Sequence, residues 1–543
     1  MRRPWGAVLL AVVACFQAES AVAEPVMTDA GALQGERAGP LTLYKGVPFA
    51  APPVGPLRWR EPKPVPPWKG VRKADAFAPA CMQTGVSMPG EAPPAVSEDC
   101  LYLNIWTPAK NPHERLPVMV WIPGGGFTNG SAAMPLYWGD RLALKGVIVV
   151  TVAYRLGPLG FLAHPELTRE SAHGASGNYG LMDQIAALRW VQRNIGGFGG
   201  DPARVTVAGQ SAGSNSVSLL LASPLAKGLF QQAIGESGGV FEPLQIAPAY
   251  RLANAERDGE AYAASLGAHS IADLRQLPAA ELLKGNAAAV SHPIVEPYVL
   301  PASPYDIFAA GRQNDVPTLI GFNAEEPRAF ANVTDVNRVT AATFVSDPPA
   351  WWPAPLRSPG LLSTFPHATD DEARRSRVEL ETALRSGWDV WAWARLQAAH
   401  GRGDVFAYRF DHRPPFPADS IYADWGAAHF VELWYVFDHL DQEPWPWTPA
   451  DRHLAALMSS YWTNFVRRGD PNGPGLPTWP GFTRARGQAM RLDVPVSAGD
   501  FPVDRGLESV GKLYDLARGA PFDSAPSVGE ARKPASPRPA PGP

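Results

Sequence analysis

Short apolar runs alternate along this chain with longer segments whose apolar positions recur at helical spacing. The short runs are continuously apolar, as is typical of strands that are buried on both faces. They occupy residues 116–122, 147–153, 205–208, 316–322 and 405–410. Helical patterns occupy residues 180–194, 212–222 and 454–468. This alternation predicts an α/β fold with a mostly parallel central sheet and helices on both of its faces.

Two long segments interrupt the alternation of strands and helices. Residues 243–300 and 324–403 have no strong strand pattern, and they carry helical stretches such as residues 371–396. Segments of this kind commonly lie over the end of a sheet, where they shape a binding site. We therefore expect helical insertions that form a cap, within one α/β domain over residues 24–519.

The two ends of the chain differ from this domain. Met1-Arg2-Arg3 precedes an apolar stretch and an Ala21-Val22-Ala23 motif, which predicts a signal peptide over residues 1–23 and a secreted or periplasmic protein. The stretch is shorter than the ~20 residues that a membrane span requires. A lipoprotein that carries lipid on Cys15 is the alternative. The Pro-rich composition of residues 520–543 predicts a disordered tail.

Composition and charge exclude several classes of protein. The chain has 543 residues, of which 45% are hydrophobic, and its formal net charge is −4. This balance gives no reason to expect a nucleic-acid partner, and no later segment is apolar enough to be an integral membrane segment. The oligomeric state cannot be read from the sequence.

Of the three cysteines, Cys81 and Cys100 would remain after cleavage, and in an exported protein we expect them to form a disulfide. Two free buried thiols are the alternative.

The pentapeptide Gly209-Gln210-Ser211-Ala212-Gly213 directly follows one of the predicted strands. Glycines two residues before and after a serine permit a very sharp turn from strand to helix, which exposes the serine hydroxyl in a cleft. The motif is typical of a nucleophilic serine. It can also occur by chance in a chain with 51 glycines, so its interpretation depends on whether the other catalytic groups are present.

Acyl transfer through serine also needs a base, an orienting acid and donors for the oxyanion. Gly124-Gly125-Gly126 directly follows another predicted strand, and such a loop can supply backbone N–H donors. No Gly-Lys-Ser/Thr follows it, which argues against a phosphate-binding loop, while a purely structural turn remains an alternative. His429 comes late in the chain, before an apolar helix, and a fold with this serine turn places its base after the serine and the acid.

Four further blocks make a family resemblance specific. They are Gly46 to Pro53, Ser97 to Asn104, Gly177 to Gln184 and Tyr461 to Phe465. In this order, and together with the serine and histidine motifs, they resemble the type-B carboxylesterase/lipase family, which also contains the cholinesterases. The resemblance covers roughly residues 40–485. It implies an α/β-hydrolase fold.

The resemblance also implies roles for individual residues. The nucleophile falls on Ser211, the base on His429 and the acid on Glu326, with Glu325 as the alternative acid. The oxyanion hole falls on the N–H groups of Gly125, Gly126 and Ala212. The implied activity is that of an exported serine carboxylesterase, which cleaves small-molecule esters through an acyl-enzyme and needs no metal or organic cofactor.

Three departures from the family bear on the site. Pro327 stands where the family has glycine, and we expect it to disfavour helical geometry at Glu326. Gln210 stands where many relatives have glutamate, and residues 82–99 contain no aromatic residue to bind a cation. The neutral side chain of Gln210 and the absence of an aromatic residue in that loop both argue against cholinesterase activity. A specialised esterase for a multi-ester natural product or toxin, a lipid or a polyester is an alternative, as is a non-catalytic cholinesterase-like binding protein.

Overall fold

A computed structural model describes residues 22–86, 92–330, 336–519 and 521–522. The predicted signal peptide falls almost entirely on residues 1–21, which lie outside the described residues together with Cys15. Of the tail predicted over residues 520–543, residue 520 and residues 523–543 also lie outside them. Both predictions therefore remain predictions.

Within the described residues, eleven strands form one central sheet. They are β1 (Glu36–Ala38), β2 (Leu41–Pro48), β3 (Tyr102–Thr107), β4 (Leu116–Ile122), β5 (Ile148–Val152), β6 (Gly200–Gln210), β7 (Gln232–Glu236), β8 (Thr318–Asn323), β9 (Val405–Phe410), β10 (Gln488–Leu492) and β11 (Ser497–Asp500). Their spatial order is β11-β10-β9-β8-β7-β6-β4-β5-β3-β2-β1. Strands β4 to β10 are parallel, and the outer strands are antiparallel. The predicted mostly parallel sheet is confirmed.

Helices occupy the connections between these strands, and one further helix follows the last strand. They are α1 (Asp140–Leu144), α2 (Gly157–Phe161), α3 (Pro165–Glu170), α4 (Tyr179–Asn194), α5 (Ala212–Ala222), α6 (Leu252–Ser265), α7 (Ile271–Gln276), α8 (Pro304–Ala309), α9 (Pro359–Leu362), α10 (Asp370–Thr382), α11 (Trp388–His400), α12 (Leu433–Val436), α13 (Pro449–Arg468) and α14 (Arg505–Arg518). The helix predicted over residues 371–396 is divided between α10 and α11 by a π-helical turn, Ala383–Gly387. None of the helices in the described ranges combines the length and the hydrophobicity that crossing a bilayer requires.

Alternate residues of the central strands point to opposite faces of the sheet. In β4, Val118 and Val120 pack into one apolar cluster, while Met119 and Trp121 pack into another. The first cluster contains side chains of α4, α5 and α11, and the second contains side chains of α12 and α13. Both faces of β4 are therefore covered by helices, which explains why this strand is apolar at every position.

The outer strands were not predicted, because their sequences do not form continuous apolar runs. Strand β11 is exposed along its whole length. Strand β3 is largely buried, but it contains Asn104, which interrupts its apolar run. The side chain of Asn104 donates hydrogen bonds to the Ala132 carbonyl oxygen at 3.2 Å and to Thr151 Oγ1 at 3.0 Å. These bonds offset the cost of burying the amide.

Cys81 and Cys100 form a buried disulfide, as expected. Replacing both residues by alanine is expected to lower the free energy of unfolding by about 3 kcal/mol, because the cross-link restricts the unfolded chain. Urea unfolding of the two proteins measures this difference. A reducing agent should destabilise the wild type by a similar amount and leave the double variant unchanged. Equal stability of both proteins under oxidising conditions would contradict the prediction.

Candidate active site

Ser211 lies on a sharp turn between the end of β6 and the start of α5. Its backbone angles are φ 58° and ψ −126°, a conformation that non-glycine residues rarely adopt. A Cβ atom at Gly209 would lie 2.5 Å from the carbonyl carbon of Gly213, and one at Gly213 would lie 2.1 Å from the Ile122 carbonyl oxygen. Both flanking positions therefore require glycine. The strand-turn-helix geometry that a nucleophile elbow needs is present at Ser211.

The glycine loop after β4 lies directly against this turn. A Cβ atom at Gly124 would come within 3.1 Å of Ser211 Cβ. Gly125 and Gly126 have positive φ angles of 115° and 61°, which glycine adopts without strain. Among the described residues, the N–H groups of Gly125, Gly126 and Ala212 have no hydrogen-bond acceptor. Three unused donors thus belong to segments that meet at the serine, where they could bind an oxyanion.

Glu326 and His429 are in direct contact, although they are distant in sequence. His429 Nδ1 lies 2.5 Å from Glu326 Oε2. The other carboxylate oxygen accepts a hydrogen bond from the Asn323 N–H at 2.9 Å, and the His429 N–H donates to the Glu326 carbonyl oxygen at 3.3 Å. Glu326 is fully buried. Main-chain and side-chain contacts together hold the carboxylate against one nitrogen of the imidazole.

The expectation about Pro327 differs from the structure. A 3₁₀ helix, Glu326–Phe330, begins at Glu326 despite the proline that follows. Proline is tolerated in the first turn of a helix, because the N–H that it lacks has no partner within the helix at that position. The Phe330 ring, at the other end of this helix, lies 5.2 Å from the His429 ring between centroids. Pro327 therefore does not prevent contact between Glu326 and His429.

The neighbouring Glu325 makes a different set of contacts. Its carboxylate accepts hydrogen bonds from Arg328 Nε at 2.8 Å, Arg413 Nη2 at 2.7 Å and the Ala427 N–H at 3.0 Å. Both oxygens are thus engaged by the loop that precedes His429. Of the two adjacent glutamates, it is Glu326 whose carboxylate contacts the imidazole.

The second imidazole nitrogen contacts Gln210. The side-chain nitrogen of Gln210 lies 3.2 Å from His429 Nε2, and Gln210 is fully buried. Within the described chain, no hydrogen bond joins Ser211 Oγ to His429, and such bonds are often long or misaligned before substrate binds. The sequence indicated Gln210 only as a missing anion and did not predict its contact with His429. The position of Gln210 next to Ser211 was the one feature of the sequence that could have indicated this contact.

Two further buried carboxyl groups lie behind the histidine, and sequence reasoning assigned neither of them to the site. Glu236 Oε1 accepts a hydrogen bond from Trp462 Nε1 at 2.8 Å, and Glu432 accepts one from Asn323 Nδ2. Burial, and then the charge of Glu326, raise the pKa of Glu432 to about 7. Burial and the charge of Glu432 raise the pKa of Glu236 well above its ordinary value. Burial is the largest cause of both shifts, as expected for carboxyl groups that are removed from water.

The parallel sheet, with a serine on the strand-to-helix turn after its central strand β6, defines an α/β-hydrolase fold. The model of the family described as the carboxylesterase family matches residues 23–508. The chain belongs to this family and is a carboxylic-ester hydrolase.

Relatives with known names agree with this assignment. The chain is 38% identical to a fumonisin B1 esterase of Sphingopyxis macrogoltabida, over 87% of each chain. It is 35% identical to a cocaine esterase of Oryctolagus cuniculus, over 83% of this chain and 87% of the relative. A solved structure of a PNB esterase is similar with a TM-score of 0.76 and 32% identity, and the match covers 90% of this chain and 99% of that one.

Proposed function

We propose that the protein hydrolyses carboxylic esters through an acyl-enzyme on Ser211, with His429 as general base and Glu326 as the acid that orients it. The observation that carries this proposal is the 2.5 Å contact between His429 Nδ1 and Glu326 Oε2. A carboxylate at Nδ1 favours the tautomer in which Nδ1 carries the proton, so the lone pair is on Nε2. That nitrogen can then accept the Ser211 proton.

The reaction follows from these positions. His429 Nε2 removes the hydroxyl proton as Ser211 Oγ attacks the ester carbonyl, and the same proton passes to the departing alcohol. The N–H groups of Gly125, Gly126 and Ala212 stabilise the tetrahedral oxyanion, and losing one such donor costs ~10²-fold or more in rate. Water then attacks the acyl-enzyme with His429 again as base, and this step releases the acid. None of these steps needs a metal or an organic cofactor.

Gln210 has a part in the resting state of this proposed site. A side-chain amide nitrogen only donates hydrogen bonds, so its 3.2 Å contact with His429 Nε2 holds that ring nitrogen as an acceptor. The same interaction must give way when the Ser211 hydroxyl donates to Nε2. A neutral amide at this position also places no negative charge beside the reacting groups, which favours neutral or anionic esters over cationic ones.

Export to an oxidising compartment forms part of this proposal. The N-terminal sequence has the organisation of a signal peptide, and the Cys81–Cys100 disulfide is of a kind that persists outside the cytosol. We propose a secreted or periplasmic enzyme that is cleaved after Ala23, with lipid attachment at Cys15 as the alternative.

A specialised ester is a second candidate for the substrate. The relative named fumonisin B1 esterase is 38% identical to this chain, and its name describes an esterase that acts on fumonisin B1. The substrate of this chain would then be a specialised ester, such as a multi-ester natural product or toxin. A panel of simple esters and multi-ester natural products tests this candidate, and faster hydrolysis of every simple ester would contradict it.

A fluorophosphonate probe tests the serine mechanism directly. We expect one equivalent of probe to attach to Ser211 and to abolish hydrolysis of a neutral aryl ester in proportion, because only an activated serine attacks phosphorus readily. Mass spectrometry of the peptides locates the label, and unfolded protein serves as the unlabelled control. A label on another residue, or full hydrolysis after stoichiometric labelling of Ser211, would contradict the mechanism.

A further inference from the structure

Arg385 lies close to the proposed site but takes no part in the mechanism described above. It belongs to the π-helical turn between α10 and α11, and such turns occur frequently at functional sites. Its guanidinium carbon lies 4.6 Å from the centroid of the Phe330 ring and 4.8 Å from that of Trp351. Because Phe330 also contacts the ring of His429, a single aromatic side chain separates Arg385 from the proposed base.

The hydrogen-bonding capacity of Arg385 is only partly used within the described part of the chain. An arginine side chain carries five N–H donors, and within the described residues the ionic and hydrogen-bonding partner of the Arg385 guanidinium is the Glu381 carboxylate. The distance between Arg385 Nε and Glu381 Oε2 is 3.7 Å, which is longer than a hydrogen bond. Because Nε is buried, the donors that remain for a ligand are those of the two terminal nitrogens that Glu381 does not engage.

The charge around Arg385 favours an anionic ligand. Burial raises the pKa of Glu381 to about 7, against the opposing effect of Arg385 and Arg377, so Glu381 is only partly ionised near neutral pH. Burial lowers the pKa of Arg385, while the charges of Glu381 and Glu326 raise it. The guanidinium keeps its proton, since the pKa of arginine starts far above neutrality. Of these two acidic neighbours, Glu381 is only partly ionised and Glu326 is in contact with His429, so the positive charge of the guanidinium is incompletely neutralised.

Arg385 is also accessible, in contrast to the anion beside it. Its side chain is 23% exposed, whereas that of Glu381 is fully buried. Aromatic contacts on Phe330 and Trp351 fix the plane of the guanidinium and reduce its hydration. A planar cation held in this way suits a carboxylate, which accepts two parallel hydrogen bonds from the guanidinium.

We propose that Arg385 binds a free carboxylate of the ester substrate, so that the enzyme prefers acidic esters, such as half-esters of dicarboxylic acids, to neutral ones. This inference rests on the proposed function, because it assumes that the ester is cleaved beside His429. Arg385 is then a residue that determines specificity, and it takes no part in proton transfer. The carboxylate could belong to the acyl group or to the alcohol group.

Two pairs of probe esters test the proposal and distinguish these two sources. Para-nitrophenyl hydrogen adipate carries the carboxylate on its acyl group, and methyl para-nitrophenyl adipate is its neutral counterpart. Para-butyryloxybenzoate carries the carboxylate on its alcohol group, and its methyl ester is neutral. For at least one pair, we expect the wild type to have a higher kcat/KM for the acidic ester, after correction for spontaneous hydrolysis.

The variants Arg385→Met, Arg385→Lys and Arg374→Met identify the residue responsible. In Arg385→Met, the ratio of the acidic to the neutral kcat/KM is expected to fall about tenfold or more, because a charge-assisted bidentate contact is lost. Arg385→Lys should retain part of the preference, because it keeps the charge without the planar fork. Arg374 lies on α10 and pairs with Asp371 at 3.0 Å, so its replacement should leave the ratio unchanged.

Added salt provides a measurement that does not depend on the variants folding. Rising potassium chloride should reduce the preference of the wild type for the acidic ester, because ions screen a partly exposed pair. The proposal is wrong if the wild type shows no acidic preference in either pair, if Arg385→Met keeps that preference, or if salt does not change it. Failure of the proposed function would look different, since the wild type would then hydrolyse none of the four esters.

Discussion

Replacing Ser211 by alanine is expected to abolish ester hydrolysis, with a fall in kcat of roughly 10⁴- to 10⁶-fold. The acyl-enzyme cannot form without the hydroxyl, and the N–H groups of the glycine loop would then stabilise only direct attack by water. Initial rates with a neutral aryl ester measure the loss. The thermal unfolding midpoint should change little, because Ser211 Oγ makes no hydrogen bond to the described residues that the substitution would break.

Ser218 provides a matched control on the same helix. Its hydroxyl donates to the Asn215 carbonyl oxygen at 2.8 Å, and its side chain is buried away from the turn. Ser218→Ala should keep most of the activity and lose about 1 kcal/mol of stability, the ordinary value of one such hydrogen bond. Substantial turnover by Ser211→Ala, with the label of the phosphonate probe on another serine, would remove Ser211 from the mechanism.

Replacing Glu326 by glutamine is expected to lower kcat by about 10⁴-fold. An amide in this position can donate a hydrogen bond to Nδ1, which favours the tautomer with the proton on Nε2 and removes the acceptor that Ser211 needs. The imidazolium that forms during the reaction would also lose its counter-ion. The loss should appear in kcat more than in KM, because the interaction strengthens as the proton moves to His429.

Glu325→Gln is the matched control, since the same change is made one residue earlier. Glu325 pairs with Arg328 and Arg413, and Arg413 is largely exposed, so its pair contributes at most about 1 kcal/mol. We expect less than a tenfold change in kcat, together with a small loss of stability. A large loss in Glu325→Gln and a small one in Glu326→Gln would assign the orienting acid to Glu325.

Much of the fold could be predicted, because the central strands and main helices follow from the pattern of apolar residues within each segment. Strands β4 and β9 have the predicted bounds, and β5 and β8 differ from their predicted bounds by one or two residues at each end. Strand β6 extends well beyond the apolar run at residues 205–208, since its first residues, from Gly200, are polar or small. The π-helical turn in the insertion was also missed, because a helical pattern of hydrophobicity does not reveal an added residue in one turn.

The candidate site was predictable to a similar extent and for a related reason. Ser211 and the glycine loop lie in short motifs, and the conformation of each depends on residues within a few positions of it. The residues named from the sequence for the acid and the base are in contact in the structure. Their catalytic roles remain predictions, which the substitutions above test.

The sequence by itself determined the turn at Ser211, the glycines that permit it and the central strands that position it. Only the tertiary structure decided that Glu326 contacts His429 while Glu325 binds arginines, because this depends on how the end of β8 meets a loop about a hundred residues later. It also decided that Gln210 reaches the second imidazole nitrogen and that Arg385 lies behind Phe330. Backbone conformation follows from neighbours along the chain, whereas contacts between side chains follow from packing, and packing brings together residues that no local pattern relates.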